Sequence, residues 1–337
     1  MKENVQAGKK PLLQIDDVSI CYKTKRGMLR AVSNASFTIN AGESVALIGE
    51  SGCGKTTLAT AIVDALPFAA SIDGGKLLFY ANDEPVDLLS LRRKQLRRLL
   101  WRDISMVFQA SQSSFNPVRK IKTQFIDTVR AHDKSMRQKD ILQKAAELLR
   151  VVMLDPEKVL NAYPHELSGG MKQRTLIALS LLLQPKLVIL DEPTTALDLL
   201  TQEKILHLLK DLKQQYGFSL LFITHDLGIV SELADKVVTM YAGRVVECAP
   251  VKEFFNNSRH PYSNGLIEAI PRLTLENKAL KSIPGTPPDM IEQKDSCAFA
   301  PRCSRCTQKC QQKAPNLEQC AEKEHLFACW NPITRGE

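Results

Sequence analysis

Gly49-Glu50-Ser51-Gly52-Cys53-Gly54-Lys55-Thr56, with Thr57 behind it, has the residue types and spacing of a loop that holds phosphate. Glycines let successive backbone N–H groups turn inward on an anion, and a helix starting near Lys55 adds the positive end of its dipole. Lys55 has the reach to meet the β- and γ-phosphates of a nucleotide, and Thr56 offers a hydroxyl to Mg2+. The plain alternative is a glycine-rich turn before an ordinary helix. Against it stand the strand-like Ser44-Val45-Ala46-Leu47-Ile48 just before the loop, which is the context the motif requires, and a later apolar run. That run, Leu187 to Leu190, closes in Asp191-Glu192. Mg2+ prefers carboxylate oxygen and retained waters, which suits Asp191. Glu192, one residue further, is placed to polarise an attacking water.

Between these two lies Leu167-Ser168-Gly169-Gly170-Met171-Lys172-Gln173-Arg174. An L-S-G-G-x-x-Q-R segment ahead of a strand ending in Asp-Glu resembles the signature of an ATP-binding cassette. The resemblance implies roles for further residues. Gln109, ending Ile104-Ser105-Met106-Val107-Phe108, would sense Mg2+ and γ-phosphate. His225, after Leu220-Leu221-Phe222-Ile223-Thr224, would be the switch histidine, although a lone histidine at a strand end is more commonly a packing or capping residue. Ala196-Leu197-Asp198 would form the loop across which two cassettes communicate. Tyr22, ending the strand-like Leu12 to Tyr22, would stack on adenine, although a strand-end tyrosine is often only packed. In such cassettes two copies dock head to tail, so Ser168, Gly169 and Gly170 would contact the γ-phosphate held by the partner. One phosphate loop and one signature make this chain half of a working unit.

The region after about residue 250 narrows the resemblance. Arg259-His260-Pro261-Tyr262-Ser263, Ile283-Pro284-Gly285-Thr286-Pro287-Pro288 and Cys297-Ala298-Phe299-Ala300-Pro301-Arg302-Cys303 follow in that order. They are similar to the tail of ATP-binding subunits of dipeptide, oligopeptide and nickel importers. Phe108-Gln109 followed by Ser113-Ser114-Phe115-Asn116-Pro117 extends the likeness over nearly the whole chain. Cys53 and Thr56 replace serines common there, and Ala110-Ser111 replaces an Asp-Pro. The resemblance implies an ATPase energising uptake of peptides, with nickel or another small solute as the alternative. Its partners would be a second homologous ATPase, two transmembrane permeases and an extracytoplasmic binding protein. A soluble cassette acting on ribosomes or DNA is the reading from another class. It is disfavoured because such proteins usually carry two cassettes, a long coiled coil or a zinc module within the cassette.

Nine cysteines occur, and six of them, Cys297, Cys303, Cys306, Cys310, Cys320 and Cys329, fall in the last 41 residues. In a cytosolic chain such clustering argues for metal rather than disulfides. In some members of the resembled family the equivalents of Cys297, Cys303, Cys310 and Cys329 hold a [4Fe-4S] cluster, which needs four thiolates. Cys303-x-x-Cys306 could instead begin a Zn2+ site, and unliganded thiols are the third reading. Cys21 and Cys248 read as small buried hydrophobes.

The elements that must position these groups follow from composition and periodicity. A chain of 337 residues has room for a sizeable core. Apolar runs such as Leu176 to Leu183 fall short of the roughly 18 residues of a membrane helix, and the polar start, Met1 to Pro11, lacks a signal-type apolar stretch. The expected location is therefore the cytoplasmic face of the membrane, reached through a partner. The net charge of +8 is spread out, apart from Arg92-Arg93-Lys94 with Arg97, Arg98 and Arg102 on a helix; nothing resembles a nucleic-acid platform. Lys139 to Leu149 repeats apolar residues at helical spacing, Gly75 to Tyr80 reads as strand, and Ser168 reads as a helix cap. The expected fold is α/β: a P-loop ATPase core of the ABC type over 10–255, with an antiparallel β subdomain and a helical subdomain at about 110–182. A Cys-rich extension over 256–337 follows.

Overall fold

The computed structural model describes residues 10–81, 84–109, 114–193, 199–269, 282–291, 295–319 and 324–334. Asp198 with Ala196 and Leu197, the Ala110-Ser111 pair and Cys320 lie outside them. The chain opens with β1 (Pro11–Thr24), β2 (Gly27–Asn40) and β3 (Ser44–Ile48), then α1 (Lys55–Ile62), β4 (Ala70–Phe79) and β5 (Val86–Asp87). Next come α2 (Arg93–Leu99), β6 (Ile104–Val107), α3 (Ile121–Arg130), α4 (Gln138–Val151), α5 (Pro156–Asn161) and α6 (Gly169–Ser180). A second strand-rich part holds β7 (Leu187–Asp191), α7 (Leu199–Tyr216), β8 (Ser219–Ile223), α8 (Leu227–Leu233), β9 (Lys236–Tyr241) and β10 (Arg244–Pro250). The tail adds α9 (Val251–Asn257), α10 (Pro261–Glu268), α11 (Gln308–Gln312), β11 (Glu318–Gln319) and β12 (Leu326–Phe327).

The chain divides into two compact units that interleave in sequence. The first comprises 1–14, 38–43 and 77–221; the second comprises 15–37, 44–76 and 222–337. Strand β8 passes from one to the other between Leu221 and Phe222.

In the first unit the strand order is β8-β7-β6. Strands β6 and β7 run parallel with Ile104 opposite Leu187 and Val107 opposite Leu190. Every residue of both is buried, the pattern of strands covered on both faces. The same unit holds the four helices α3 to α6. Helix α4 buries Ile141, Ala145, Leu148 and Leu149, spaced four, seven and eight residues from the first, so one stripe faces inward. It packs against α3, α5 and α6. Asp155 caps α5, its carboxylate accepting from the Glu157 and Lys158 amides, and Pro156 opens the helix where its missing N–H does no harm.

In the second unit the order is β11-β12-β10-β9-β3-β8. Strand β3 is parallel to β9, while β10 is antiparallel to both β9 and β12. Thus the last strands of the tail extend the sheet that begins at the phosphate loop. Separately, β2-β1-β4-β5 form a four-stranded sheet, with β4 and β5 antiparallel. Cys21 and Cys248 are buried, matching their reading as small hydrophobes. Among the described residues no helix is long and apolar enough to cross a membrane.

Candidate nucleotide site

The phosphate loop belongs to the second unit and is built at the end of β3, whose five residues are all buried. Gly49 has φ 144°, and a Cβ there would lie 2.1 Å from the Met240 carbonyl oxygen. Gly54 has φ 103°, and a Cβ would lie 2.2 Å from the Ala31 carbonyl oxygen. Both positions therefore demand glycine twice over, by backbone conformation and by the approach of a neighbouring strand. Helix α1 starts at Lys55 with Gly54 as its cap and no capping side chain, so the first-turn amides face the loop's concavity without a side-chain acceptor.

Lys55 is 7% exposed, and its Nζ donates to the Gly49 carbonyl at 2.8 Å and the Glu50 carbonyl at 2.9 Å. The ammonium is thereby held over the loop by neutral acceptors. A charged phosphate oxygen is a stronger acceptor for the same donor. Cys53 lies 3.5 Å from Lys55 Nζ, and burial pushes its thiol above the usual range, so it fills the loop as a neutral group. Tyr22 Oη is 3.2 Å from Thr57 Oγ1, which brings the adenine-stacking candidate to the first turn of α1. His225 is exposed just beyond β8, and Asp226 after it caps α8 by accepting from the Gly228 amide at 2.8 Å.

The first unit holds a second cluster. Val107 and Leu190 are paired in register across β6 and β7, and Gln109 and Glu192 each stand two residues further along. Gln109 Nε2 donates to Glu192 Oε2 at 2.9 Å. Glu192 itself has φ 48°, a left-handed conformation that a non-glycine residue adopts only when its surroundings enforce it. Asp191, immediately before it, is 1% exposed at the end of β7. Its carboxylate oxygens are hard donors of the kind that suits Mg2+.

The signature segment, also in the first unit, has a different character. Ser168 is exposed and caps α6, accepting from the Met171 amide at 3.3 Å. Arg174 turns inward, donating to the carbonyls of Gly170, Val152 and Met153, and so ties the helix to the end of α4.

The tail cysteines gather in the second unit. The Cys297 amide donates to the Cys310 carbonyl at 2.9 Å, and Cys297 and Cys303 pack on Tyr241, Tyr262 and Phe299. Burial pushes the Cys297 and Cys303 thiols up and takes Cys329 to about 12. The Cys306 amide donates to the Cys303 carbonyl at 3.3 Å, so Cys306 also stands beside the family-matching Cys303. Yet among the described residues no three His, Cys, Asp or Glu side chains converge as ligands of one metal ion.

Sequence reasoning missed what holds the loop from outside. The Glu50 amide donates to Tyr262 Oη at 2.8 Å, and the Glu50 carboxylate is gripped by Arg302. Both partners stood in the tail motifs, but nothing in their spacing tied them to the loop. The Gln109–Glu192 bond was equally invisible, since it depends on strand register.

Residues 32–195 match the family described as ABC transporter, and residues 246–310 match the oligopeptide/dipeptide transporter C-terminal region. The dipeptide transport ATP-binding protein DppD of Caldanaerobacter subterraneus subsp. tengcongensis is 41% identical over 94% of this chain and 96% of its own length. The oligopeptide transport ATP-binding protein OppD of Haemophilus influenzae is 38% identical over 95% of this chain and 97% of its own. A dimeric ATP-binding cassette solved in a post-hydrolysis state with ADP and Pi superposes with TM-score 0.63 at 26% identity, covering 71% of this chain and 99% of that one. With the loop, the Asp-Glu strand, the signature and the tail motifs all in place, the chain belongs to the family of ABC transporter ATP-binding subunits, in the dipeptide and oligopeptide transport branch.

Proposed function

We propose that this chain is the ATP-hydrolysing subunit that energises uptake of di- or oligopeptides across the cytoplasmic membrane. The observation that carries the ATPase reading is the Gln109–Glu192 hydrogen bond beside a strained Glu192, because a carboxylate fixed by a neutral amide keeps an acceptor for the proton of water. The relatives' names carry the peptide reading. In this proposal Lys55 meets the β- and γ-phosphates, while Thr56 and Asp191 supply oxygen to Mg2+, which neutralises developing charge when bound. Glu192 orients and deprotonates water, Gln109 senses Mg2+ and the γ-phosphate while holding Glu192, and His225 serves as the switch. Gly49 to Thr57 cradle the phosphates, and Tyr22 stacks on adenine. Ser168, Gly169 and Gly170 act on the nucleotide of a second cassette, with Asp198 at the communication loop. The second ATPase is a homologous subunit, with a pair of identical chains as the alternative. Two permeases and an extracytoplasmic binding protein complete the assembly at the cytoplasmic face, without nucleic acid.

The test is reconstitution with the permeases and binding protein of the same transporter in liposomes. Peptide-stimulated ATP hydrolysis is expected; stimulation by nickel chelates alone would transfer the chain to the other branch, and co-purification with ribosomes instead of permeases would overturn the transporter reading.

For the tail we propose a [4Fe-4S] cluster on Cys297, Cys303, Cys310 and Cys329. The number of thiols supports the reading, since four thiolates are what such a cluster needs and the sequence supplies them at positions 297, 303, 310 and 329. When bound, such a cluster supplies low-energy charge-transfer absorption and a redox centre; the chain supplies the ligands and the buried aromatic wall behind them. Anaerobically purified protein is expected to be brown with about four irons per chain. Single replacement of any of the four by Ser bleaches it, whereas Cys306→Ser and Cys320→Ser do not. Colourless protein with stoichiometric zinc would overturn the assignment.

A further inference from the structure

Arg302 belongs to the Cys-x-Phe-x-Pro-Arg-Cys stretch of the tail, yet its guanidinium is spent on the phosphate loop. Nη1 donates to Glu50 Oε2 at 2.7 Å and Nη2 to Glu50 Oε1 at 2.9 Å, a bidentate fork. The rest of the group is equally fixed. Nε donates to the Pro284 carbonyl at 2.7 Å, Nη1 lies 3.3 Å from Tyr241 Oη, and the guanidinium carbon stands 5.7 Å from the Tyr241 ring centre and 6.0 Å from that of Phe299. The side chain is 5% exposed, and Glu50, at 27%, is the wetter partner.

Glu50 is the acidic residue of the phosphate loop. It follows Gly49 directly in a loop whose task is to receive polyphosphate, and it brings a negative charge there. An uncompensated carboxylate beside that loop repels the incoming phosphates and competes for the Lys55 ammonium, which already touches the Glu50 carbonyl. A lysine in place of Arg302 would offer a point charge; the planar fork fixes both carboxylate oxygens at once.

We propose that Arg302 is a positioning residue for nucleotide binding: it neutralises and immobilises Glu50, so that the affinity of the phosphate loop for MgATP is set from the C-terminal tail. The inference rests on reading Gly49 to Thr56 as the ATP loop. It also gives the tail a reason to be attached to the ATPase, since Arg302 precedes Cys303 in the chain and stands over Tyr241 and Phe299, members of the aromatic cluster against which Cys303 packs.

The experiment is equilibrium titration of the full-length chain with Mg2+ and a non-hydrolysable ATP analogue. Arg302→Ala is expected to weaken binding on the order of tenfold, the scale of one neighbouring charge in a partly solvated site. Adding Glu50→Gln to that variant restores affinity to within about threefold of wild type, because the repelling charge has gone. Raising the salt from about 0.05 M to about 0.5 M narrows the defect of Arg302→Ala, as screening demands. A tail that merely props up the fold would show neither the rescue nor the salt dependence. Binding by Arg302→Ala at wild-type strength, or failure of Glu50→Gln to rescue it, overturns the proposal. If Arg302→Ala does not fold, Arg302→Gln decides: it keeps the length of the side chain and removes its charge, so binding about tenfold weaker, narrowed by salt, is expected and wild-type binding overturns the proposal. Wild-type protein that fails to bind the analogue would instead overturn the reading of the loop itself.

Discussion

The phosphate loop and the signature segment are both glycine-rich, and the structure treats them in opposite ways. In the loop, Gly49 and Gly54 sit at positive φ with neighbouring carbonyl oxygens where a Cβ would go. Lys55 is held by two carbonyls, and the tail fixes Glu50 from outside through Tyr262 and Arg302. In the signature, Gly169 and Gly170 are ordinary helical residues behind an exposed Ser168 cap, and a Cβ on Gly170 would meet only the Thr201 methyl, at 3.2 Å. One region is a receptor whose shape the chain itself over-determines. The other is a surface held from behind by Arg174 and left open in front, as a segment must be if its ligand is presented by another molecule.

The largest effect that would break this contrast comes from its tightest glycine. Gly54→Ala places a methyl against the Ala31 carbonyl in a disfavoured backbone conformation, so it is expected to abolish nucleotide binding and to destabilise the chain by about 3 kcal/mol or more. Thermal unfolding and titration with a nucleotide analogue measure both. A variant that binds normally would mean the loop is softer than its contacts indicate.

Acid should undermine the loop's support while leaving the signature's cap untouched. His260 opens α10, its Nδ1 accepting from the Tyr262 amide at 3.1 Å, and burial lowers its pKa to about 4 from an ordinary 6.5. Glu247, whose oxygens also receive the His260 amide and His325 Nε2, opposes that shift without cancelling it. Because the folded value is depressed, the stability is fully present above pH 6.5 and is lost as the pH falls toward 4. The shift corresponds to about 3 kcal/mol. Denaturant midpoints across this window should fall steeply in the wild type and less steeply in His260→Gln; equal slopes would remove His260 from the account.

Turnover tests the cluster that neither glycine region contains. Glu192→Gln preserves size and the Gln109 neighbour but removes the carboxylate proposed as the base, and a drop in kcat of about 10²-fold or more is expected with nucleotide binding retained. Near wild-type hydrolysis by the assembled transporter would assign the base elsewhere.

The smallest effects belong to the signature. Ser168→Ala should cost about 1 kcal/mol as a lost helix cap. Gly170→Ala should stay within about 1 kcal/mol of wild type, since gained helix propensity offsets the squeeze against Thr201. Calorimetry would show whether Gly170 tolerates what Gly54 cannot; if both collapse alike, the contrast between receptor and open surface fails.

The sequence alone determined the parts that are written locally. Strand ends, the phosphate loop, the Ser168 cap and the α4 stripe each depend on residues a few positions apart, and periodicity or motif spacing states them directly. The buried runs in β3, β7 and β8 could be read for the same reason. What tertiary structure decided are relations between distant positions. Gln109 meets Glu192 only because β6 and β7 pair in one register, and register is a property of two strands at once. The glycines at 49 and 54 are obligatory because Met240 and Ala31 approach them, which no local pattern encodes. Arg302 reaches Glu50 across 252 positions of sequence. Its motif announces a proline, an arginine and two cysteines, and only the folded tail shows that the arginine serves the loop: a charged side chain's partner is set by the buried surface it lands on, not by its neighbours along the chain.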